Sequence, residues 1–247
     1  KFDELVGSYD APQGNAKFIE AIASLLHNEC GWPIGCENIA VTNGSQSSFF
    51  TLFNLFAGEC PNGRQQRILL PLTPEYIGYG DIGLGQELFY SRRPNIKIRG
   101  QYEFKYHVDF DHLDIQEDTG AICISRPTNP TGNVVTDEEI LRLREIAAGR
   151  DIPLIIDGAY GAPFPNIIFT EVTPIWDPGV IVCLSLSKFG MPGVRTGIVV
   201  ADDAVIRAVT SANAILSLSP GSFGPVLVTE AMRSGEFLRI STDLIRP

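Results

Sequence analysis

Lys188 stands just beyond the apolar run Val180-Ile181-Val182-Cys183-Leu184, where a strand would end and a loop open. A lysine amine buried at such a place loses part of its preference for charge and becomes a nucleophile toward a carbonyl carbon. Most lysines are surface groups on loops, so the reading of Lys188 depends on its company. Asp157 emerges in the same manner from Leu154-Ile155-Ile156, where an unpaired charge is costly. It caps a helix or pairs with a buried cation, and the residue alone does not choose. Gly44-Ser45-Gln46 leads from a strand-like run into a helical one, so its N–H groups serve as a plain cap or as a cradle for an anion. Ser185 adds a hydroxyl, and Arg195 a guanidinium suited to bidentate contact with a phosphate. Asn129 and Tyr160 are hydrogen-bond donors, though Asn129, beside Pro130, is equally a turn residue. Tyr76 offers an aromatic plane, for the core or for a ligand ring. Together these groups answer the needs of a ligand that combines an aldehyde, a protonated pyridine ring and a phosphate.

The elements that would bring them to one place are legible in the hydrophobic pattern. Short apolar runs at 39–42, 67–70, 121–125, 153–156, 180–184 and 197–200 read as strands, and their near-continuous character predicts cover on both faces. Helical periodicity covers 16–29, 47–56, 137–148, 203–215 and 225–234, and Thr136 with Glu139 makes a capping box ahead of the third. Strand and helix in alternation predict an α/β fold, a three-layer α/β/α sandwich with a mostly parallel sheet. The run 197–200 is expected as an antiparallel member. In such a sheet ligands bind beyond the carboxyl ends of the strands. The polar groups at 43–46, 74–76, 127–130, 157 and 185–188 follow five strands in turn, so they describe one site. No internal repeat or low-complexity tract interrupts the pattern.

Composition narrows the class. Of 247 residues, 44% are hydrophobic and 19% charged, the balance of an ordinary globular chain. The net charge of −10 is interspersed, and an acidic surface repels a polyphosphate backbone. Nucleic acid is therefore not expected as a partner, whereas a local phosphate pocket is compatible. No apolar run approaches the roughly 20 residues of a membrane helix, and the stretch 1–10 carries no signal-peptide pattern. Five scattered cysteines, with Cys123 and Cys183 inside strand-like runs, fit a reducing cytoplasm. Three dispersed histidines argue against a His-rich metal site, and no metal is expected.

The stretch Ser185-Leu186-Ser187-Lys188-Phe189-Gly190-Met191-Pro192-Gly193-Val194-Arg195-Thr196-Gly197 resembles the lysine signature of the class I/II aminotransferases of fold type I. In that family's order stand also Tyr9-Asp10-Ala11-Pro12-Gln13-Gly14, Thr42-Asn43-Gly44-Ser45-Gln46, Asn129-Pro130-Thr131-Gly132 and Asp157-Gly158-Ala159-Tyr160. The resemblance covers essentially the whole chain. It implies the large domain of an aspartate aminotransferase-like transferase with pyridoxal 5'-phosphate (PLP) as cofactor. On that likeness Lys188 forms the Schiff base and shuttles protons, Asp157 pairs with the ring nitrogen, and Asn129 and Tyr160 contact the ring oxygen. Catalysis falls to Lys188, Asp157 and Tyr160. Tyr76 stacks on the ring, and Gly44, Ser45, Gln46, Ser185 and Arg195 hold the phosphate. Tyr9 resembles the tyrosine that reaches the phosphate of the neighbouring subunit, which implies a homodimer.

Outside the cofactor motifs, Leu52-Phe53-Asn54-Leu55-Phe56-Ala57-Gly58, Pro74-Glu75-Tyr76-Ile77-Gly78-Tyr79 and Phe104-Lys105-Tyr106-His107-Val108-Asp109-Phe110 are similar to one branch of the family. That branch implies exchange of L-alanine and 2-oxoisovalerate for pyruvate and L-valine. Family members begin earlier and continue further. The expected layout is thus an N-terminal remnant at 1–8, a PLP-binding large domain at 9–235 and, at 236–247, the start of a connection to a small domain. The small domain would carry the arginine for the substrate carboxylate; within the chain, Arg92, Arg93, Arg99 and Arg126 are the candidates.

The cofactor motifs do not choose among reactions on one scaffold. Another amino-acid pair, a decarboxylation, or a C–S or β-lyase elimination differs in which bond to Cα stands perpendicular to the ring. Three patterns point to other classes. Gly78-Tyr79-Gly80-Asp81-Ile82-Gly83 matches a dinucleotide fingerprint, but 71–77 separate it from the strand it must leave. Ser185-Leu186-Ser187-Lys188 matches the S-x-x-K of penicillin-binding enzymes, with its partner motifs in the wrong order. His107, Asp109, Asp111 and His112 suggest a metal site, though alternation on a half-exposed strand explains them more simply.

Overall fold

The computed structural model describes residues 2–245. Lys1, Arg246 and Pro247, the outer ends of the segments expected at 1–8 and 236–247, lie outside the described residues. Among the described residues the strands are β1 (Ile39–Thr42), β2 (Gly58–Glu59), β3 (Gln65–Leu70), β4 (Phe89–Ser91), β5 (Asn95–Ile98), β6 (Phe104–His107), β7 (Thr119–Ser125), β8 (Leu154–Asp157), β9 (Val180–Ser185) and β10 (Gly197–Val200). The α-helices are α1 (Phe2–Gly7), α2 (Ala16–Cys30), α3 (Ser45–Phe56), α4 (Asp137–Ala148), α5 (Asp203–Ser217), α6 (Phe223–Arg233) and α7 (Glu236–Ile240).

The main sheet has the order β1-β10-β9-β8-β7-β3-β2, with β4 also paired to β3. Strands β9, β8, β7, β3 and β4 are parallel. β10 is antiparallel to both β9 and β1, so β1 runs in the direction of β9. The carboxyl ends of β1, β3, β7, β8 and β9 therefore share one edge. Pieces without a long apolar run, β2, β4 and β5 of the separate hairpin, had no signal in the sequence pattern, and the half-exposed strand read from His107 onward instead ends there, as β6.

Every residue of β1, β7, β8, β9 and β10 is buried. The two-residue side-chain period divides them between two cores. Leu154, Ile156, Val180 and Val182 pack with residues of α2, α4 and α6 on one face. Ile155, Ile181 and Cys183 pack with α3 and α5 on the other. The expected capping box opens α4: Glu139 N–H donates to Thr136 Oγ1 at 3.2 Å, and Thr136 N–H to Glu139 Oε2 at 2.9 Å. Helix α3 starts two residues earlier than its periodicity suggested. Gly44, at φ 95°, turns the chain out of β1 in a conformation that side chains rarely adopt, and its carbonyl receives the N–H groups of Ser47 and Ser48. The stretch 236–245, expected to begin a connection, forms α7 and a π-helical turn. Its Phe237 is fully buried and stacks on Phe189, next to Lys188, with ring centroids 3.8 Å apart.

Candidate active site

A cavity of about 210 Å³ opens at the shared carboxyl edge. Ser45, Gln46, Tyr76, Asn129, Asp157, Tyr160, Lys188 and Arg195 all line it. These come from five separate stretches of sequence, and the sheet brings them together.

Asp157 ends β8, and its carboxylate is buried. Oδ2 accepts the Tyr79 hydroxyl at 2.6 Å and Oδ1 accepts the Ala159 N–H at 2.9 Å. Burial pushes this carboxyl up, while those two donors pull it back toward the anion. Burial, and then the charge of Asp157, also holds the Tyr79 phenol well above its usual range, so the hydroxyl keeps its proton and donates it. Tyr79 is fixed in turn by aromatic rings: Phe49 at 5.2 Å, Phe53 at 5.1 Å and Tyr76 at 5.5 Å between centroids.

The anion cradle forms where α3 meets the loop after β9. A Cβ on Gly44 would overlap the Arg195 guanidinium, so the absence of a side chain is what lets Arg195 lie against the start of the helix. Arg195 Nη1 donates to Ser187 Oγ at 3.3 Å and to the Pro192 carbonyl at 3.2 Å. Helix N–H groups, a hydroxyl and a guanidinium converge there as a phosphate would require.

Two expectations need correction. Ser185 is not on the cavity wall. It ends β9 in register with Gly197, is 1% exposed, and its Oγ accepts the Ser187 N–H at 3.1 Å. Ser187 presents the hydroxyl to the cavity in its place. Lys188 lines the cavity but is exposed rather than buried, because it sits in a short 3-10 turn at the open rim; its Nζ lies 5.0 Å from the Tyr160 ring centroid. Tyr9, expected to reach the site of a neighbouring subunit, is 81% exposed and does not line the cavity of its own chain.

Sequence reasoning passed over Tyr79, Ser125 and Ser187, and noted Glu75 only as punctuation. Glu75 and Tyr79 flank Tyr76 in a turn just beyond a strand end, and that spacing was the available signal. Of the rival patterns, Gly78 falls in a 3-10 turn at Ile77–Tyr79 and not between a strand and a helix. His107 Nδ1 meets Glu139 at 3.2 Å and His112 Nδ1 meets Asp109 at 2.9 Å, so the two rings serve different carboxylates. Arg126 is tied to the Val135 and Thr173 carbonyls and to Asp137, and Arg92 to the Leu113 carbonyl and Asp114.

The sequence profile of the family described as aminotransferase class I and II matches residues 4–243. The chain belongs to that family. Valine–pyruvate aminotransferase of Escherichia coli (strain K12) is 52% identical over 247 residues, which are 100% of this chain and 59% of that protein. The crystal structure of valine–pyruvate aminotransferase from Salmonella typhimurium LT2 superposes with a TM-score of 0.91 at 51% identity, over 100% of this chain and 61% of that one. A tetra mutant of Thermus thermophilus aspartate aminotransferase shares the fold, with a TM-score of 0.81 at 21% identity over 97% of this chain and 64% of its own. The chain thus spans about three fifths of the length of these relatives.

Proposed function

We propose that this chain is the PLP-binding part of an aminotransferase that exchanges L-alanine and 2-oxoisovalerate for pyruvate and L-valine. The observation that carries the proposal is the convergence of Lys188, Asp157, Asn129, Tyr160, Tyr76, Ser45 and Arg195 on one cavity. The substrate pair is supported by the 52% identity to valine–pyruvate aminotransferase across the chain.

The residues fit PLP on three counts. A buried carboxylate that accepts hydrogen bonds from Tyr79 and Ala159 at a strand end suits a protonated ring nitrogen. A cradle that a Cβ at Gly44 would fill suits a phosphate, and an amine on the same cavity wall suits an aldehyde. Lys188 would hold the aldehyde carbon, Asp157 the ring nitrogen, Asn129 and Tyr160 the ring oxygen, and Tyr76 the ring face. Gly44, Ser45, Gln46, Ser187 and Arg195 would hold the phosphate, with Ser185 supporting Ser187 from beneath. Bound PLP supplies the electron sink for the bond broken at the substrate's Cα.

Everything else is the work of the chain. Arg195 and the start of α3 anchor the anion end and fix the position of the ring. Asp157, oriented by the donors Tyr79 and Ala159, would pair with a proton on the ring nitrogen. Lys188 Nζ is the base that takes the proton from the substrate Cα. Release of the first keto acid before the second substrate enters the same cavity predicts ping-pong kinetics.

The same reading includes a homodimer in the cytoplasm. Tyr9 is exposed, and Ile215, 84% exposed, stands with Leu216 and Leu218 in an uncovered apolar group. That group adjoins Ser217, which bonds Asn43 at the start of the anion cradle, so a second subunit seated there would reach the site. The five cysteines are free thiols, as a reducing compartment requires. No helix among the described residues is long and apolar enough to cross a membrane.

The test is Lys188→Ala in the full-length protein. Turnover of alanine with 2-oxoisovalerate and the visible absorbance of lysine-bound PLP should both vanish while the circular dichroism of the fold persists. Normal turnover in that variant would overturn the assignment. A survey of amino acids against the wild type, with keto-acid products identified, tests the substrate pair separately.

A further inference from the structure

The cavity edge holds a second acid, partly buried, which the steps above leave without a task. It is Glu75, which precedes Tyr76. The ladder between β3 and β7 ends at Leu69 and Ile122. Beyond it, the Ser125 N–H donates to Glu75 Oε1 at 2.9 Å, and the Ser125 hydroxyl bonds Oε2. Oε2 also accepts the Tyr76 N–H at 3.3 Å. One carboxyl thus fastens the chain at Tyr76 to the end of β7, on the strand position paired with Asp157.

The Tyr76 ring is confined from its other sides. A Cβ on Gly78 would overlap the ring, Tyr79 meets it edge-on at 5.5 Å, and Gln46 Nε2 holds the Gly78 carbonyl at 3.0 Å. Burial, and to a lesser degree the Asp157 charge, push Glu75 up to about 7, against the pull of Ser125. An acid placed at such a disadvantage needs a compensating task.

We propose that Glu75 is a positioning residue for the cofactor ring, clipping the Tyr76 segment to the end of β7 and so fixing the aromatic plate on which the ring rests. The inference depends on the PLP reading above. Either protonation state keeps the clip: the acid donates to the Ser125 hydroxyl, and the anion accepts from it. Glu75→Gln keeps both bonds to Ser125, since the amide oxygen accepts the Ser125 N–H and the amide nitrogen donates to the hydroxyl, and gives up only the 3.3 Å bond from the Tyr76 N–H. Glu75→Ala removes the clip. Glu75→Asp retains the charge but falls one methylene short of Ser125.

The experiment measures PLP affinity of the full-length apo-protein and the visible circular dichroism of bound PLP, which reports the fixed orientation of the ring. Glu75→Gln should bind within about threefold of wild type with an unchanged dichroic band, whereas Glu75→Ala and Glu75→Asp should bind on the order of tenfold more weakly with a diminished one. Tyr76→Ala and the double variant Glu75→Ala/Tyr76→Ala should bind alike, because a residue acting through Tyr76 has nothing left to position. Should Glu75→Ala fail to fold, the Asp variant carries the same comparison. Wild-type affinity in Glu75→Ala or Glu75→Asp overturns the inference. So do additive losses in the double variant, or a Gln variant as weak as Ala. A wild type that gives no band of lysine-bound PLP overturns the cofactor reading itself, and this inference with it.

Discussion

Tyr79→Phe isolates the support under Asp157. The change removes one oxygen and leaves the ring among Phe49, Phe53, Tyr76 and Phe89, so the packing is conserved. What is lost is the 2.6 Å bond to Oδ2, one of two bonds the carboxylate accepts. A hydrogen bond to a charged group is worth about 1.5–3 kcal/mol. The variant should therefore lose roughly tenfold to a hundredfold in the rate of proton removal from Cα. The direction with pH follows from the same bond. The Tyr79 hydroxyl pulls the Asp157 carboxyl down against burial, so its loss lets that carboxyl rise further, and the acid limb of the rate profile should move to higher pH. The assay is single-turnover reaction of the PLP-loaded full-length protein with alanine, followed by the visible absorbance. PLP capture by Lys188 should persist. A Tyr79→Phe rate within about twofold of wild type, with no displacement of the acid limb, would refute the claim that Tyr79 favours the anionic form of Asp157 against its burial.

Two further outcomes are expected. Glu75 has an ordinary value of 4.5 and stands at about 7 in the fold, so the folded state prefers its neutral form. The apo-protein should thus be free of the penalty below 4.5 and lose about 3 kcal/mol of stability from this group between 4.5 and about 7, a loss absent in Glu75→Gln when denaturant unfolding is compared across that range. Gly44→Ala should displace the Arg195 guanidinium and strain a φ of 95°, which predicts a loss of PLP affinity of about tenfold to a hundredfold, by titration of apo-protein. Unchanged affinity would show that Arg195 does not serve the phosphate end.

The fold's skeleton was legible because burial on both faces leaves a strong mark. Strands β1, β7, β8, β9 and β10 are fully buried and apolar, and all but the antiparallel β10 carry a polar residue or loop of the site at their carboxyl ends. The residue types at those ends, a lysine, an aspartate, a glycine leading into a helix and an arginine, determined the kind of ligand chemistry without any coordinates. The weakly paired pieces were not legible. β4 has three residues, and the β5 strand has no buried residue at all, so no apolar run announces them.

Only the tertiary structure decided which neighbours the site residues have. The sequence pointed to Ser185 and passed over Ser187, two residues on; the strand register turned the first into the sheet and the second toward the cavity. It also offered Lys188 as buried, and the short turn at the rim left it exposed. Tyr79 and Asp157 are 78 positions apart, and Glu75 and Ser125 are 50, so no local pattern links them. Periodicity reports which face a residue occupies, because burial follows the repeat of the local backbone. A hydrogen bond between distant residues depends instead on how adjacent strands are aligned at their ends, and that alignment is set by the packing of the whole sheet.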